Sequence, residues 1–153
     1  MSGWDQYVQY LTANQQVEYG LILGKTDGTI WASNVGLTTL YNNYQIDVEG
    51  QKANVNETAN LLAAMNNNGV PTDPLCGIRI MNQKYYTVKY DADSQVWYLK
   101  KDHGGACIAI TNQALVIGTF DITKKQQNGV AQNPGQVNKV VESLAATLKQ
   151  AGY

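Results

Sequence analysis

From residue 77 to residue 120 the chain is a succession of short β-type runs with almost nothing between them, and this constrains the fold more than any other feature. The runs are Gly77–Met81, Lys84–Tyr90, Val96–Lys101, Ala106–Thr111 and Leu115–Phe120. A parallel connection needs a dozen or more residues to cross back over the sheet, and these separators are far shorter. Consecutive runs must therefore be antiparallel neighbours in a meander. Earlier in the chain, Tyr19–Gly24 and Thr29–Ser33 flank Lys25-Thr26-Asp27-Gly28, and Asp-Gly between two strand-like runs signals a hairpin.

Helical periodicity marks the two ends. Trp4, Tyr7, Val8 and Leu11 fall at i, i+3, i+4 and i+7, one face of a helix expected over about residues 3–13 with Ser2 as N-cap. Asn133-Pro134 offers an N-cap followed by proline at the first helical position. From there Val137, Val140, Val141, Leu144, Leu148 and Ala151 form an apolar stripe. A third helix is expected from Val55 to Met65, because residues 44–68 lose the two-residue alternation and this run is rich in Ala, Leu, Glu and Asn. It breaks in Asn66-Asn67-Asn68-Gly69, and Pro71 and Pro74 mark the loop that follows. Both terminal stripes need an apolar partner, and one face of an antiparallel sheet supplies it. The fold expected is α+β, one domain over residues 1–153 with the terminal helices side by side on the sheet.

Composition narrows the function. Charged residues are 15% of the chain, with 11 Lys+Arg against 12 Asp+Glu and a formal net charge of −1, which excludes disorder and gives no basic surface of nucleic-acid grade. No run approaches the roughly 18–20 apolar residues of a membrane span, and Met1-Ser2-Gly3-Trp4-Asp5 shows neither basic nor apolar leader character, so a cytoplasmic location is expected. Charge is uneven: residues 1–80 carry three cations against seven acids, residues 81–153 eight lysines against five. A basic face could steer an acidic protein or a phosphoinositide, or be an ordinary solvated surface.

Catalytic patterns fail one by one. Gly24-Lys25-Thr26 resembles the end of a phosphate-binding loop, but Tyr19 stands where that loop needs its first glycine. His103-Gly104-Gly105 suggests an oxyanion loop, yet none of Ser2, Ser33, Ser94 and Ser143 lies in Gly-x-Ser-x-Gly. Asp91 and Asp93 sit where turn chemistry explains them. Cys76 and Cys107 are too few for a four-ligand zinc site, and one histidine supplies no metal site alone. Both cysteines border apolar runs and read as buried free thiols, with a single disulfide as the other arrangement. No enzyme is expected, and no cofactor.

What stands out is the aromatic distribution. Trp4 and Tyr7 lie on the first helix, Trp31 in the second strand, and Tyr153 beyond the last helix. If these elements converge, flat rings line a shallow groove suited to polyproline II ligands. Pyrrolidine rings stack on indole and phenol faces, while Trp N–H and Tyr O–H groups donate to carbonyls that this helix leaves unpaired. Core packing is the competing reading for each ring alone.

The start Ser2-Gly3-Trp4-x-x-Tyr7-Val8, the hairpin Asp27-Gly28-Thr29-Ile30-Trp31-Ala32, the run TNQALVIGTFD at 111–121 and the ending PGQVNKVVESL at 134–144 together resemble profilin from end to end, the last two especially plant profilins. The resemblance implies a seven-stranded antiparallel sheet, with the terminal helices on one face and shorter helices on the other. It implies a monomer that binds monomeric actin, promotes its nucleotide exchange and engages proline-rich proteins such as formin-type assembly factors.

Carried over by position, the polyproline groove is Trp4, Tyr7, Trp31, Thr147, Leu148 and Tyr153. Thr147 replaces the His of animal and the Tyr of plant members, so weaker proline-ligand binding than in an animal relative is expected. The actin face is Lys84, Lys89, Lys101, Gly135, Asn138 and Lys139, with Lys89 replacing an animal Arg and so losing its bidentate fork. Lys100, Lys101, Lys124 and Lys125 form a thin phosphoinositide set, and the segment Ile122 to Gln132, longer than in plant profilins, is expected beside the actin face. The rival is a small-molecule sensor or trafficking module on a similar frame, without actin binding.

Overall fold

The computed structural model describes residues 3–153. Its elements run α1 (Asp5–Thr12), a 3₁₀ turn (Ala13–Gln15), β1 (Gly20–Gly24), β2 (Ile30–Ser33), β3 (Tyr44–Val48), β4 (Gln51–Val55) and α2 (Glu57–Met65). After them come β5 (Ile78–Ile80), β6 (Gln83–Asp91), β7 (Val96–Lys101), β8 (Gly104–Ile110), β9 (Ala114–Asp121) and α3 (Pro134–Gln150). Seven strands form one antiparallel sheet in the order β2-β1-β9-β8-β7-β6-β5. The expected meander is there, and β1 closes against β9 rather than against the strand nearest to it in sequence after β2.

β1, β8 and β9 are buried almost throughout, so the sheet must be covered on both faces. On one face Val8 and Leu11 of α1 and Val137, Val140, Val141, Leu144 and Leu148 of α3 pack with Ile22, Cys107 and Val116. On the other, Leu61, Ala64 and Met65 of α2 pack with Leu21, Leu23, Tyr85, Trp97 and Ile117. One short helix and the adjoining loops, rather than several helices, serve that side.

Local chemistry sets the helix ends. The Asn133 side chain accepts from the Gln136 N–H at 3.0 Å, with Pro134 in the first turn, and Asn56 accepts from Ala59 N–H at 2.9 Å. α2 thus begins at Glu57, two residues after the expected start. α1 follows Trp4, which makes no side-chain cap bond; the Ser2 cap expected from sequence lies outside the described residues. Cys76 and Cys107 are free and buried, and burial pushes both thiols up from their ordinary value.

The β3–β4 hairpin was not expected. Its turn is Glu49-Gly50, both at positive φ (51° and 84°), a twist-matched geometry normally signalled by Asn-Gly or Asp-Gly. The buried Glu57 carboxylate binds this hairpin and its approach to the main body. It accepts from Tyr44 O–H at 2.6 Å, from Tyr41 N–H at 3.2 Å, and from the Met81 and Asn82 N–H groups at 3.1 and 2.8 Å. Burial foremost, then the bond to Glu57, pushes the Tyr44 phenol up to about 12.

The terminal helices sit close because the strands beneath them are narrow. Gly118 pairs with Gly20 on one side and Cys107 on the other. A Cβ at Gly118 would lie 2.7 Å from Val141 Cγ2 and 3.2 Å from Val137 Cγ1; one at Gly20 would lie 3.2 Å from Leu11 Cβ. Gly118→Ala is expected to lift α3 and destabilise the protein by about 1–3 kcal/mol, the usual cost of overpacking. Urea unfolding that returned the parental midpoint would rule this packing out.

Candidate functional site

The side chains of Trp4, Tyr7, Trp31 and Tyr153 meet. The Trp4 ring is the hub: its centroid is 5.5 Å from Tyr7, 4.8 Å from Trp31 and 4.9 Å from Tyr153, at interplanar angles of 52°, 44° and 70°. All four remain partly open to solvent, Tyr153 the most at 38%. They form a shallow aromatic groove between the ends of α1 and α3.

Trp31 reaches this face through a bulge. Ile22 pairs with Ala32 and Leu23 with Ile30, which leaves Trp31 as an extra residue. Regular alternation would send Ile30 and Ala32 to the same face. Instead Ile30 packs on the α2 side, while Trp31 and Ala32 both pack with the terminal helices. Gly24 makes room beside the indole, since a Cβ there would lie 3.0 Å from Trp31 Nε1.

Tyr153 is held by the chain leaving α3. Gly152, at φ 93°, lets the Tyr153 N–H reach back to the Leu148 carbonyl at 2.9 Å, the six-to-one bond of a Schellman closure. The Tyr153 carbonyl in turn accepts from Gln113 N–H at 2.6 Å and Thr111 Oγ1 at 2.9 Å. Thr111 and Gln113, at the β8–β9 turn, therefore position a ring of the groove, a role sequence reasoning missed. Leu148 is wholly buried and forms the floor rather than the surface. Thr147 is exposed beside Tyr7, its hydroxyl bonded to the Ser143 carbonyl at 3.2 Å.

A second concavity lies past the other edge of α3. Val88, Lys89, Tyr98, Lys100, Phe120 and Asn138 are among its lining. A bulge shapes it too: Thr87 pairs with Leu99 and Lys89 with Tyr98, leaving Val88 unpaired, so Val88 and Lys89 share one face. Gly135 and Lys139 are exposed on the first turns of α3. The Lys84 ammonium stands 5.3 Å over the Tyr86 ring, which pairs across the strands with Lys100. Tyr86 and Val88 are more than half exposed, an apolar component that the lysine pattern did not reveal. Burial, then the neighbouring Glu142 carboxylate, raises the Tyr98 phenol to about 12, and its hydroxyl donates to Glu142 at 3.3 Å.

Lys101 corrects the sequence reading. Alternation along β7 turns it to the opposite face from Lys100, where its ammonium donates to Glu18 and Gln83 and stands 5.6 Å from the Tyr85 ring. Its side chain and that of Glu18 are each 3% exposed, so Lys101 offers nothing to actin or to a lipid. The four phosphoinositide lysines do not gather either. Lys101 and Lys124 both turn to the Glu18 carboxylate, Lys124 at 3.8 Å, whereas Lys100 projects from the other side of the sheet. The loop after β9 leans on the segment after α1: Gln127 N–H donates to the Asn14 carbonyl at 2.8 Å and Gln132 Nε2 to the Gln15 carbonyl at 3.0 Å.

The profilin family model matches residues 2–153. This chain belongs to the profilin family. It is 31% identical to Profilin-A of Physarum polycephalum over 157 residues, covering 98% of each chain, and 29% identical to Profilin-1 of Dictyostelium discoideum at the same coverage. Among solved structures, Acanthamoeba castellanii profilin IA superposes with a TM-score of 0.67 at 25% identity, over 99% of this chain and 100% of that one. Mouse profilin IIa, solved in complex with a double repeat from the FH1 domain of mDia1, has the same fold, with a TM-score of 0.63 at 16% identity over 99% of this chain and 100% of that one. Profilins are non-enzymatic actin-binding proteins.

Removing Lys101 takes a charged hydrogen bond from the buried Glu18 carboxylate and leaves it with Lys124 at 3.8 Å and the Thr119 hydroxyl at 3.1 Å. Lys101→Ala is expected to cost about 1.5–3 kcal/mol of stability, read by chemical denaturation; a loss below 1 kcal/mol would show the pair to be solvated.

Proposed function

We propose that this profilin binds proline-rich segments in the aromatic groove and monomeric actin at the lysine-bordered cleft, and acts in the cytoplasm to deliver monomers to proline-rich assembly factors. The observation that carries the first part is the convergence of three rings on Trp4 from three separate parts of the chain. Rings in a core would be sealed, whereas these stay partly open to solvent. A polyproline II helix presents prolyl rings and unpaired carbonyls to such a surface. The mouse relative captured with its FH1 repeat supports the same ligand class here.

For actin, the support is the mixed character of the second concavity. Exposed Val88 supplies apolar contact and Lys89 and Lys100 line the cleft with positive charge suited to an acidic partner surface, while exposed Tyr86, the cross-strand partner of Lys100, extends this face with Lys84 over its ring. Binding that favours an opened actin monomer would speed its nucleotide exchange. The groove and the cleft flank opposite edges of α3, so both ligands can be held together.

Retention on immobilised polyproline, lost in Trp4→Ala, is the expected result; a folded Trp4→Ala protein that is still retained would reject the groove, and an unaltered protein that is not retained would favour a sensor or trafficking module. For the cleft, Lys89→Glu combined with Lys100→Glu should weaken monomer binding on the order of tenfold by placing like charges together. Undiminished inhibition of pyrene-actin assembly by that variant would remove the lysines from the interface.

A further inference from the structure

α1 carries a third ring that the groove described so far does not use. Trp4, Tyr7 and Tyr10 follow at three-residue intervals, and Tyr10 is left 47% exposed while Val8 and Leu11 supply the apolar face of the helix. With Gln6, Tyr7, Leu144 and Thr147 it surrounds one shallow concavity where α1 meets α3. None of those five side chains is charged. The α3 wall there bears no ring: Leu144 is buried beneath it, and the Thr147 hydroxyl is occupied by the Ser143 carbonyl.

The spacing selects an occupant. Trp4 already has helical backbone angles (φ −77°, ψ −23°), so the six residues to Tyr10 advance about 9 Å along the axis at about 1.5 Å each. A polyproline II helix advances about 9 Å per turn of three residues. Six residues also turn the helix by about 600°, which leaves Tyr10 about 120° around the axis from Trp4 with Tyr7 between them; Tyr7 borders both the Trp4 ring and the concavity of Tyr10, so the two surfaces are continuous and one such ligand can cross from one to the other. On the reading that the Trp4 groove holds proline-rich segments, we propose that Tyr10 is its outermost rung. It stacks on a prolyl ring one turn beyond that held at Trp4, with Thr147 and Leu144 as the facing wall. The ligand site is thereby longer than the four-ring cluster.

The test is calorimetric titration of the folded protein with a dodecaproline peptide, together with Tyr10→Ala, Tyr10→Phe and Trp4→Ala. Loss of one aromatic stacking contact in Tyr10→Ala should weaken binding about three- to tenfold, while Tyr10→Phe keeps near-parental affinity because stacking needs the ring and not the hydroxyl. In the unaltered protein, nuclear Overhauser contacts between Tyr10 ring protons and prolyl δ-protons should appear on saturation, and they decide the matter should Tyr10→Ala fold poorly. Parental affinity in Tyr10→Ala with no such contacts, while Trp4→Ala abolishes binding, overturns the third rung and leaves the groove intact. An unaltered protein that does not bind the peptide overturns both.

Discussion

The central strands of this sheet leave neither face to water, and the remaining architecture answers that constraint. Residues of β1, β8 and β9 are buried on both sides, so a single cover would leave about half of their apolar area wet. The terminal helices close one face and α2 with its loops the other. Because the cover on the first face comes from the two ends of the chain, those ends must lie together. The aromatic groove is built at the seam where they meet.

Much of this was legible in the sequence. The short separators after residue 77 dictated antiparallel neighbours, and the valine and leucine stripe from 137 to 148 required a helix lying on them. The meeting of Trp4, Tyr7 and Tyr153 was legible as a condition, that the two terminal helices share a face, and the place of Trp31 among them came from the family resemblance. What could not be read is parity across the bulges. Strict alternation along β2 puts Ile30 and Ala32 together, and only pairing with β1 shows that Trp31 is the extra residue. The β3–β4 hairpin escaped notice although Tyr44, Ile46 and Val48 alternate with polar residues, because its turn is Glu49-Gly50 rather than Asn-Gly or Asp-Gly and its second strand, Gln51–Val55, is mostly polar. Lys101 escaped for another reason: its partner Glu18 is 83 residues away, and no local pattern reports so distant a pairing.

The two bulges act alike although they shape different surfaces. Each inserts one residue into a strand of the sheet near its edge, β2 at one end and β6 next to β5 at the other. Each thereby places two successive side chains on the same side: Trp31 with Ala32, and Val88 with Lys89. The doubly buried middle tolerates no such irregularity, since there every side chain has an assigned neighbour. Near the edges the sheet can give up regular pairing and present an additional group to a ligand. The surfaces so formed lie on either side of α3, whose own buried stripe keeps it fixed between them.

The three indoles of this chain occupy two unlike environments. Trp4 and Trp31 lie 4.8 Å apart in a wet trough, while Trp97 is fully enclosed, with its Nε1 donating to Thr87 Oγ1 at 2.9 Å. Intrinsic emission is accordingly a sum of two spectrally separable sources, a red-shifted, mutually coupled pair and a blue-shifted solitary chromophore. Occupancy of the trough perturbs the first and melting of the interior the second, so the molecule carries its own internal standard for distinguishing liganded from merely loosened states.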